Sequence, residues 1–388
     1  MNILVVSQHF FPDNFRINEI VEELIKKGHQ VTVITSTPDY ATGYIPEEYK
    51  KKFEDDYKGA KILRAKTAER KTGVINRAKN YISFLLSSTK LVKKLKDDFD
   101  VIFSYQTSPV LMAHAAIKAK KLFNKKLVLY CLDIWPDSLK VWNINEKNII
   151  FKLIHLYSKW VYRNADILAV SSKSFTEYMI NFNNVDSKKI VYLPQHCFPL
   201  ELDKNQFNDK KIFAFGGNIG AAQDIETIIK AVNNIKELDF SVEIYGDGSE
   251  LSNCIALTEK LKLTDKIKFF GRVSKDELIS KYNNVDAFLL TLKQNGEVGN
   301  TIPAKLQEYL STGKPIFAAA GKGVQEIMLD ADCGEACESS NYKKLSDLMK
   351  NFILNPDNYK QKGINGKNYY FNNFTIDKFI ESLLKLFN

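Results

Sequence analysis

Between residues 58 and 96 the chain has almost no acid. Twelve lysines and arginines stand there against one carboxylate, Glu69, so this segment alone carries more positive charge than the net +9 of the whole chain. The remainder is close to neutral. That excludes a protein that is basic throughout and points to an anionic partner for one surface. Long apolar runs are also missing: no uninterrupted stretch approaches the roughly 18 residues that a membrane-spanning helix needs. Cysteine is scarce and odd in number, with Cys131, Cys197, Cys254, Cys333 and Cys337. Without a C-x-x-C pair or a zinc-type spacing, these read as reduced, structural thiols of a cytosolic protein. The opening MNILVVSQHFFPD lacks a basic n-region and small cleavage-type residues, and reads as a β-strand rather than a signal peptide.

What is present is a rhythm. Short β-branched runs alternate with longer amphipathic ones over 388 residues, enough for two or three domains. ILVVS, a helical stretch from about Asn14 to Lys27, a stop at Gly28 and VTVIT make a βαβ unit. DVIFSY, KLVLYCL, DILAVS and KIVYLP continue it. PQHCFPLELDKNQFNDK has two prolines and no periodicity, and reads as a linker. KIFAFGG, FSVEIYG, KIKFFG, DAFLLT and PIFAAA then restart the pattern. The expectation is an α/β protein of two Rossmann-like, doubly wound parallel-sheet lobes with a cleft between them, spanning residues 1–195 and 210–372. The amphipathic end, about 374–388, is expected to pack back on the first lobe.

In such sheets ligands lie beyond the carboxyl ends of the strands. After KIFAF come Gly216, Gly217, Asn218, Ile219 and Gly220, followed by a helix. Glycines there let backbone amides approach a phosphate or diphosphate, and a helix N-terminus favours an anion; a plain glycine turn is the alternative. Gly246 and Gly248 repeat the theme, again with an ordinary turn as the alternative. Gly271, Arg272 and Val273 end the next strand, where exposed backbone suits the edge of a flat base. The segment NTIPAKLQEYLSTGKPI has Pro303 as a helix start and Gly313 as its stop. Lys305 and Glu308 share a face at a spacing of three. Amides of Asn300, Thr301 and Ile302 lead into the positive end of the helix dipole. One short element thus offers anion-binding amides, a cation and a carboxylate that can accept from paired ribose hydroxyls. The alternative is a surface Lys305–Glu308 pair.

Taken together, KKGHQVTVIT, DIWPDS, FGGNIG, GDG and above all NTIPAKLQEYLSTGKPI resemble the retaining GT-B glycosyltransferases of family 4, in the bacterial branch that builds capsule or O-antigen saccharides on lipid carriers. The resemblance spans nearly the whole chain. It implies a nucleotide-sugar donor held in the second lobe, with UDP as the nucleotide, and a lipid-linked saccharide acceptor. It implies no cofactor and no metal. Glu308 matches the ribose-binding Glu of the family's paired-glutamate signature. Asn300 stands where the other Glu belongs, which implies an altered contact to the donor sugar. Asn218 and Gln223 stand near positions where many members carry Arg and Lys for the diphosphate, leaving Lys293 and Lys305 as its cations. The resemblance further implies a front-face transfer in which the leaving diphosphate takes the acceptor proton, and the protein supplies position and charge.

In the first lobe, His9, Phe11, Asn14 and Arg16 follow the first strand and are expected to face the cleft on the acceptor side. Asp133 and Asp137 flank Trp135-Pro136 beyond another strand, in a loop that the resemblance puts beside the reacting sugar. Asp133, Asp137 and His9 are therefore the candidate catalytic residues; a packed histidine and a helix cap at Asp137 are the alternatives. Asp330 to Asp332 only superficially match a DxD metal site. The stretch Val74 to Lys96 has an apolar side, with Tyr81, Ile82, Leu85 and Leu86 on it, and its cations elsewhere. It fits either a covering helix of the sheet or a basic amphipathic helix at an anionic membrane surface, hence peripheral attachment at the inner face of the cell membrane. Nucleic acid is not an expected partner, since the patch matches no recognised RNA platform or DNA-reading module. Two other readings remain open: a nucleotide-sugar epimerase of similar fold, and a non-catalytic nucleotide-sugar-binding subunit.

Overall fold

The computed structural model describes residues 1–202, 207–294 and 296–388. The chain forms two compact units. Residues 1–194 and 379–388 make the first, and residues 195–378 the second.

The first unit holds β1 (Asn2–Val6), β2 (Gln30–Ser36), β3 (Glu54–Tyr57), β4 (Ala60–Ala65), β5 (Val101–Gln106), β6 (Lys126–Cys131), β7 (Ile167–Val170) and β8 (Ile190–Tyr192). They form one sheet in the order β3-β4-β2-β1-β5-β6-β7-β8. All neighbours run parallel except β3 and β4, which make an antiparallel hairpin at one edge. Ile3, Leu4, Val5 and Val6 of β1 are all buried, as expected of a central strand covered on both faces. The first covering helix, Arg16–Lys26, buries Ile17, Ile20, Val21 and Leu24, the one-sided spacing of a 3.6-residue repeat. Gly28 follows at φ +81, where a left-handed residue ends the run. The helix Ile376–Phe387 brings the chain back to this unit: Phe379 meets Tyr130 and Phe387 meets Phe103, and the Lys126 Nζ donates to the Leu386 carbonyl at 3.3 Å.

The second unit holds β9 (Lys211–Gly216), β10 (Phe240–Tyr245), β11 (Ile267–Gly271), β12 (Ala287–Thr291), β13 (Ile316–Ala319) and β14 (Gly334–Cys337). The sheet is parallel throughout, in the order β11-β10-β9-β12-β13-β14. Phe213 and Phe215 of β9 enter one apolar cluster and Ala214 enters the other, so helices cover both faces.

Three expectations need correction. The β3–β4 hairpin was not legible as strands, because EDDY has no apolar alternation. The expected linker is in part core: Cys197, Leu200 and Leu202 are buried in the second unit, where the Leu200 amide donates to Ser311 Oγ at 2.9 Å. The basic segment is not one surface. Arg64 is buried on β4, paired with Asp55 at 3.2 Å and lying over the Tyr49 ring, and Lys58 pairs with Glu22 at 2.5 Å. The helix Val74–Val92 packs only a narrow stripe, with Tyr81, Phe84, Ser88 and Val92 buried; Val74, Ile75, Ile82 and Leu86 are exposed.

Candidate active site

Strand order reverses at β9, whose neighbours β10 and β12 lead off in opposite directions. A parallel sheet opens a crevice at such a point, beyond the carboxyl end of the strand. Gly216, Gly217, Asn218, Ile219 and Gly220 turn there. The expected reason for the glycines was free amides, but most of those amides are used. Gly217 N–H donates to the Tyr245 carbonyl and Ile219 N–H to the Asp247 carbonyl, both at 2.8 Å. Gly220 N–H reaches Gln223 Oε1 at 3.2 Å, which Asn218 Nδ2 also meets at 2.9 Å. Ile219 points into the core.

The glycines serve close approach instead. At Gly246, with φ +138, a Cβ would overlap the Gly217 carbonyl, so two turns lie directly on each other. At Gly217, with φ +130, a Cβ would lie 2.6 Å from Lys305 Nζ. The missing side chain is what admits that lysine.

Lys305 comes from the helix Ala304–Thr312. Pro303 is its N-cap in extended conformation, one position earlier than expected, and Gly313 closes it at φ +78. Leu306, Tyr309 and Leu310 anchor the helix in the core. Lys305 Nζ lies 3.9 Å from the centroid of the Phe215 ring, buried and without a hydrogen-bond partner. Burial lowers its pKa to about 8, against the opposing influence of the Glu308 carboxylate one turn on. An ammonium kept in this way stabilises an incoming anion more than one already paired.

The other donor-side candidates divide. Gly217, Asn218, Gly246, Arg272 and Val273 line one cavity of about 350 Å³, with Tyr245 stacked on Phe270 beside it at 4.8 Å between ring centroids. Lys293 lies elsewhere, 3.8 Å from Asp224 and in a separate cavity, so it is not joined to the Gly217–Lys305 corner. Asn300 is buried, and its Oδ1 accepts from the Lys322 amide at 3.1 Å, where the helix Lys322–Ala331 starts. Ile302 packs on the core, and Thr301 is half-buried between them.

In the first unit the strand order reverses at β1, and His9 sits in the corner beyond it. Its ring stacks on Phe15 at 5.1 Å and meets the edge of Tyr40 at 4.8 Å. Burial, then the nearby Arg70 charge, lower its pKa to about 3, so the imidazole is neutral at ordinary pH. This is the packed histidine that the sequence left as an alternative. Phe11 packs on Tyr57, 4.8 Å between ring centroids; Asn14 is exposed and Arg16 half-buried at the helix start. Asp133 Oδ2 accepts from Ser108 Oγ at 2.8 Å, and Ser108 Oγ accepts from the Trp135 indole at 3.1 Å. Burial raises the Asp133 pKa. Asp137 is buried and paired with Lys140 at 2.6 Å, inside the turn Asp137–Trp142. Asp332 is held by Lys362 and Asn365, as a helix-end residue.

Both halves of the chain match family models. The one described as Glycosyltransferase Family 4 covers residues 15–195, and Glycosyl transferases group 1 covers residues 199–369. The chain belongs to the family 4 glycosyltransferases. This glycosyltransferase is 26% identical to WbjE of Pseudomonas aeruginosa, named as a glycosyltransferase, over 68% of each chain. It is 24% identical to WcaI of Escherichia coli K12, named for colanic acid biosynthesis, over 87% of this chain and 86% of WcaI. Anabaena HepE, solved in complex with UDP, superposes with a TM-score of 0.71 at 12% identity, covering 99% of this chain and 98% of that one. The two α/β units are those of the GT-B fold.

Sequence reading missed the residues that hold the glycosyltransferase's corners in shape. The Tyr309 hydroxyl accepts from the Gly216 amide at 2.9 Å, and a Cβ on Gly216 would overlap the Tyr282 hydroxyl. In the first unit, Asp39 Oδ2 accepts from the Arg70 amide at 3.0 Å and from Asn80 Nδ2 at 2.8 Å, and Asn80 Oδ1 accepts from Gln8 at 2.8 Å. Tyr309 was within reach, one residue after Glu308 on a face that must be core. Asp39 and Asn80 lie 41 residues apart with no local signal.

Proposed function

We propose that the protein transfers a sugar, with retention, from a UDP-linked donor to a lipid-linked saccharide in cell-surface polysaccharide synthesis. The observation that carries this reading is Lys305: a buried ammonium without a hydrogen-bond partner, admitted by Gly217 at the switch point of a parallel sheet. A diphosphate gains negative charge as its bond to the sugar breaks, and a fixed cation there stabilises that change. Glu308 is assigned to the ribose hydroxyls. The cavity between Gly217, Gly246 and Arg272-Val273 is assigned to the base. HepE, a structural neighbour solved with UDP bound, supports that nucleotide.

The sugar C1–O bond to the diphosphate breaks while a C1–O bond to the acceptor forms on the same face, and the leaving oxygen takes the acceptor proton. Asp133, oriented by Ser108, is assigned to sugar hydroxyls. Asn300 supplies an uncharged contact where the family's first Glu would stand. The acceptor belongs to the first unit, at the inner face of the membrane, with the remaining lysines of residues 66–96 toward anionic lipid.

The test is to incubate purified protein with UDP-sugars, with and without a lipid-linked saccharide, and to read the anomeric configuration of any product by NMR. A retained glycoside formed only with acceptor is expected. An isomerised UDP-sugar formed without acceptor would replace this reading by an epimerase. Asp133→Ala with unchanged turnover would remove that residue's role.

A further inference from the structure

The sheet of the second unit ends at β14, and the outer side of that strand has no neighbouring strand. The Ile316 amide donates to the Cys333 carbonyl at 3.0 Å, and the Ala320 amide to the Cys337 carbonyl at 3.1 Å. Bonding residues alternate along a parallel pair, so Cys333, Glu335 and Cys337 turn their backbone groups to β13. Gly334 and Ala336 turn theirs outward. Among the described residues, no other segment of the chain bonds to those outward groups.

This open edge lies in a recess. A cavity of about 720 Å³ runs along it, walled by the helices Lys322–Ala331 and Tyr342–Leu354. Leu329 stands at its rim, 82% exposed, and Leu348 lies deeper. Lys322 and Lys344, both exposed, sit in the first turns of the two helices and therefore at the carboxyl end of the sheet. At the other end Asp332 is held by Lys362. Other sheet edges are defended against an added strand: β3 is the acidic EDDY, and β11 exposes Lys268. The one charged residue of β14, Glu335, instead accepts from the Tyr359 hydroxyl at 3.1 Å.

Unpaired N–H and C=O groups at the floor of a trough are matched by an extended backbone, and a folded surface does not reach them. The two lysines select an acid at one end of that backbone. A second copy of the chain fits poorly, because its own β14 is set back between its own two helices. The geometry points to the β14 edge as a docking site for an extended segment of a partner protein. The segment adds a seventh strand to the sheet, with an aliphatic side chain against Leu329 and Leu348 and an acidic residue beside Lys322 and Lys344. This surface stands apart from the transfer reaction and does not depend on it.

The test uses the full chain and a fluorescein-tagged heptapeptide, valine and threonine alternating before a final pair of glutamates, together with the same peptide in reverse order. Saturable binding of one of the two is expected by fluorescence anisotropy, with slowed hydrogen exchange at the Gly334 and Ala336 amides. N-methylation of every second peptide residue should abolish binding in one register and spare it in the other. Ala336→Pro removes an outward amide but no bond to β13, and should weaken binding about tenfold. Lys344→Glu is the second variant should Ala336→Pro fold poorly; it should weaken binding about threefold, less so at high salt. UDP titration of both variants should match the wild type. Absence of saturable binding by either peptide overturns the proposal. So does binding indifferent to the N-methylation register, which would mean side-chain adsorption. A concentration-dependent dimer that Ala336→Pro dissolves would overturn it too, by giving the edge to a second copy of the chain.

Discussion

The two sheets reverse their strand order at β1 and at β9, and the two corners are finished in opposite ways. Beyond β1, the corner is filled by its own side chains: His9 between Phe15 and Tyr40, and Asp39 tied to Asn80 and the Arg70 backbone. Beyond β9, side chains are removed. Gly217 clears the space, and Lys305 reaches in over the Phe215 ring with no hydrogen-bond partner. The same fold position can therefore be closed by packing or left open around a buried cation. What distinguishes them is a buried cation that has an aromatic ring beneath it but no hydrogen-bond partner.

The comparison breaks most sharply at Lys305. Lys305→Met should lower transfer by about 10²–10³-fold, the scale of losing one preorganised charge at a leaving group. The same change should raise stability at pH 7 by about 1–2 kcal/mol, because a buried unpaired charge is removed. That is roughly 2–8 °C in melting temperature for a unit of this size. A variant that is both dead and more stable separates a ligand-binding lysine from a structural one, and activity assays with thermal melts measure both.

Gly217→Ala comes next. The new methyl would sit at positive φ and against Lys305, so transfer should fall about tenfold and stability by about 1–3 kcal/mol. Gly28→Ala, where nothing lies within 4 Å, should show only the backbone cost, with transfer unchanged.

A smaller effect is in pH. Lys305, with its pKa lowered to about 8, binds a diphosphate fully only while protonated. UDP affinity should be level near pH 7 and fall as pH rises through 8, a slope that Lys305→Met abolishes. The stability sign is opposite: the folded pKa lies below that of the unfolded chain, so the penalty is present below pH 8 and fades toward 10.5. His9, near 3, should contribute no titration around neutrality.

The smallest effect on transfer belongs to Asp39, which should be seen in stability alone. Burial raises its pKa to about 7, so the folded protein holds a proton that the unfolded chain releases near 4. The first unit should lose stability as pH rises from 4 to 7, at up to roughly 1.4 kcal/mol per pH unit midway between the two pKa values. Asp39→Asn should flatten that slope in urea titrations.

Much of the fold was legible because parallel strands buried on both faces are continuous apolar runs, as in ILVVS and KIFAF. The hairpin β3–β4 was hidden, since an edge strand such as EDDY has no such run. Lys305 and Glu308 could be read from helical spacing. Lys293 could not be excluded, because its partner Asp224 is 69 residues away. The glycines do turn beyond the strand ends, but their missing side chains, rather than their amides, shape the corner. The exposed aliphatics of Val74–Val92 carry no mark in the sequence, because an apolar residue reads the same whether it faces a sheet or solvent.

The most direct measurement is calorimetric titration of UDP into the wild-type protein and Lys305→Met at pH 7. Saturable binding by the wild type, weakened about 100-fold or more in the variant, is the predicted result. Equal affinity of the two proteins, or no binding by either, would contradict the assignment of the glycine corner to the diphosphate.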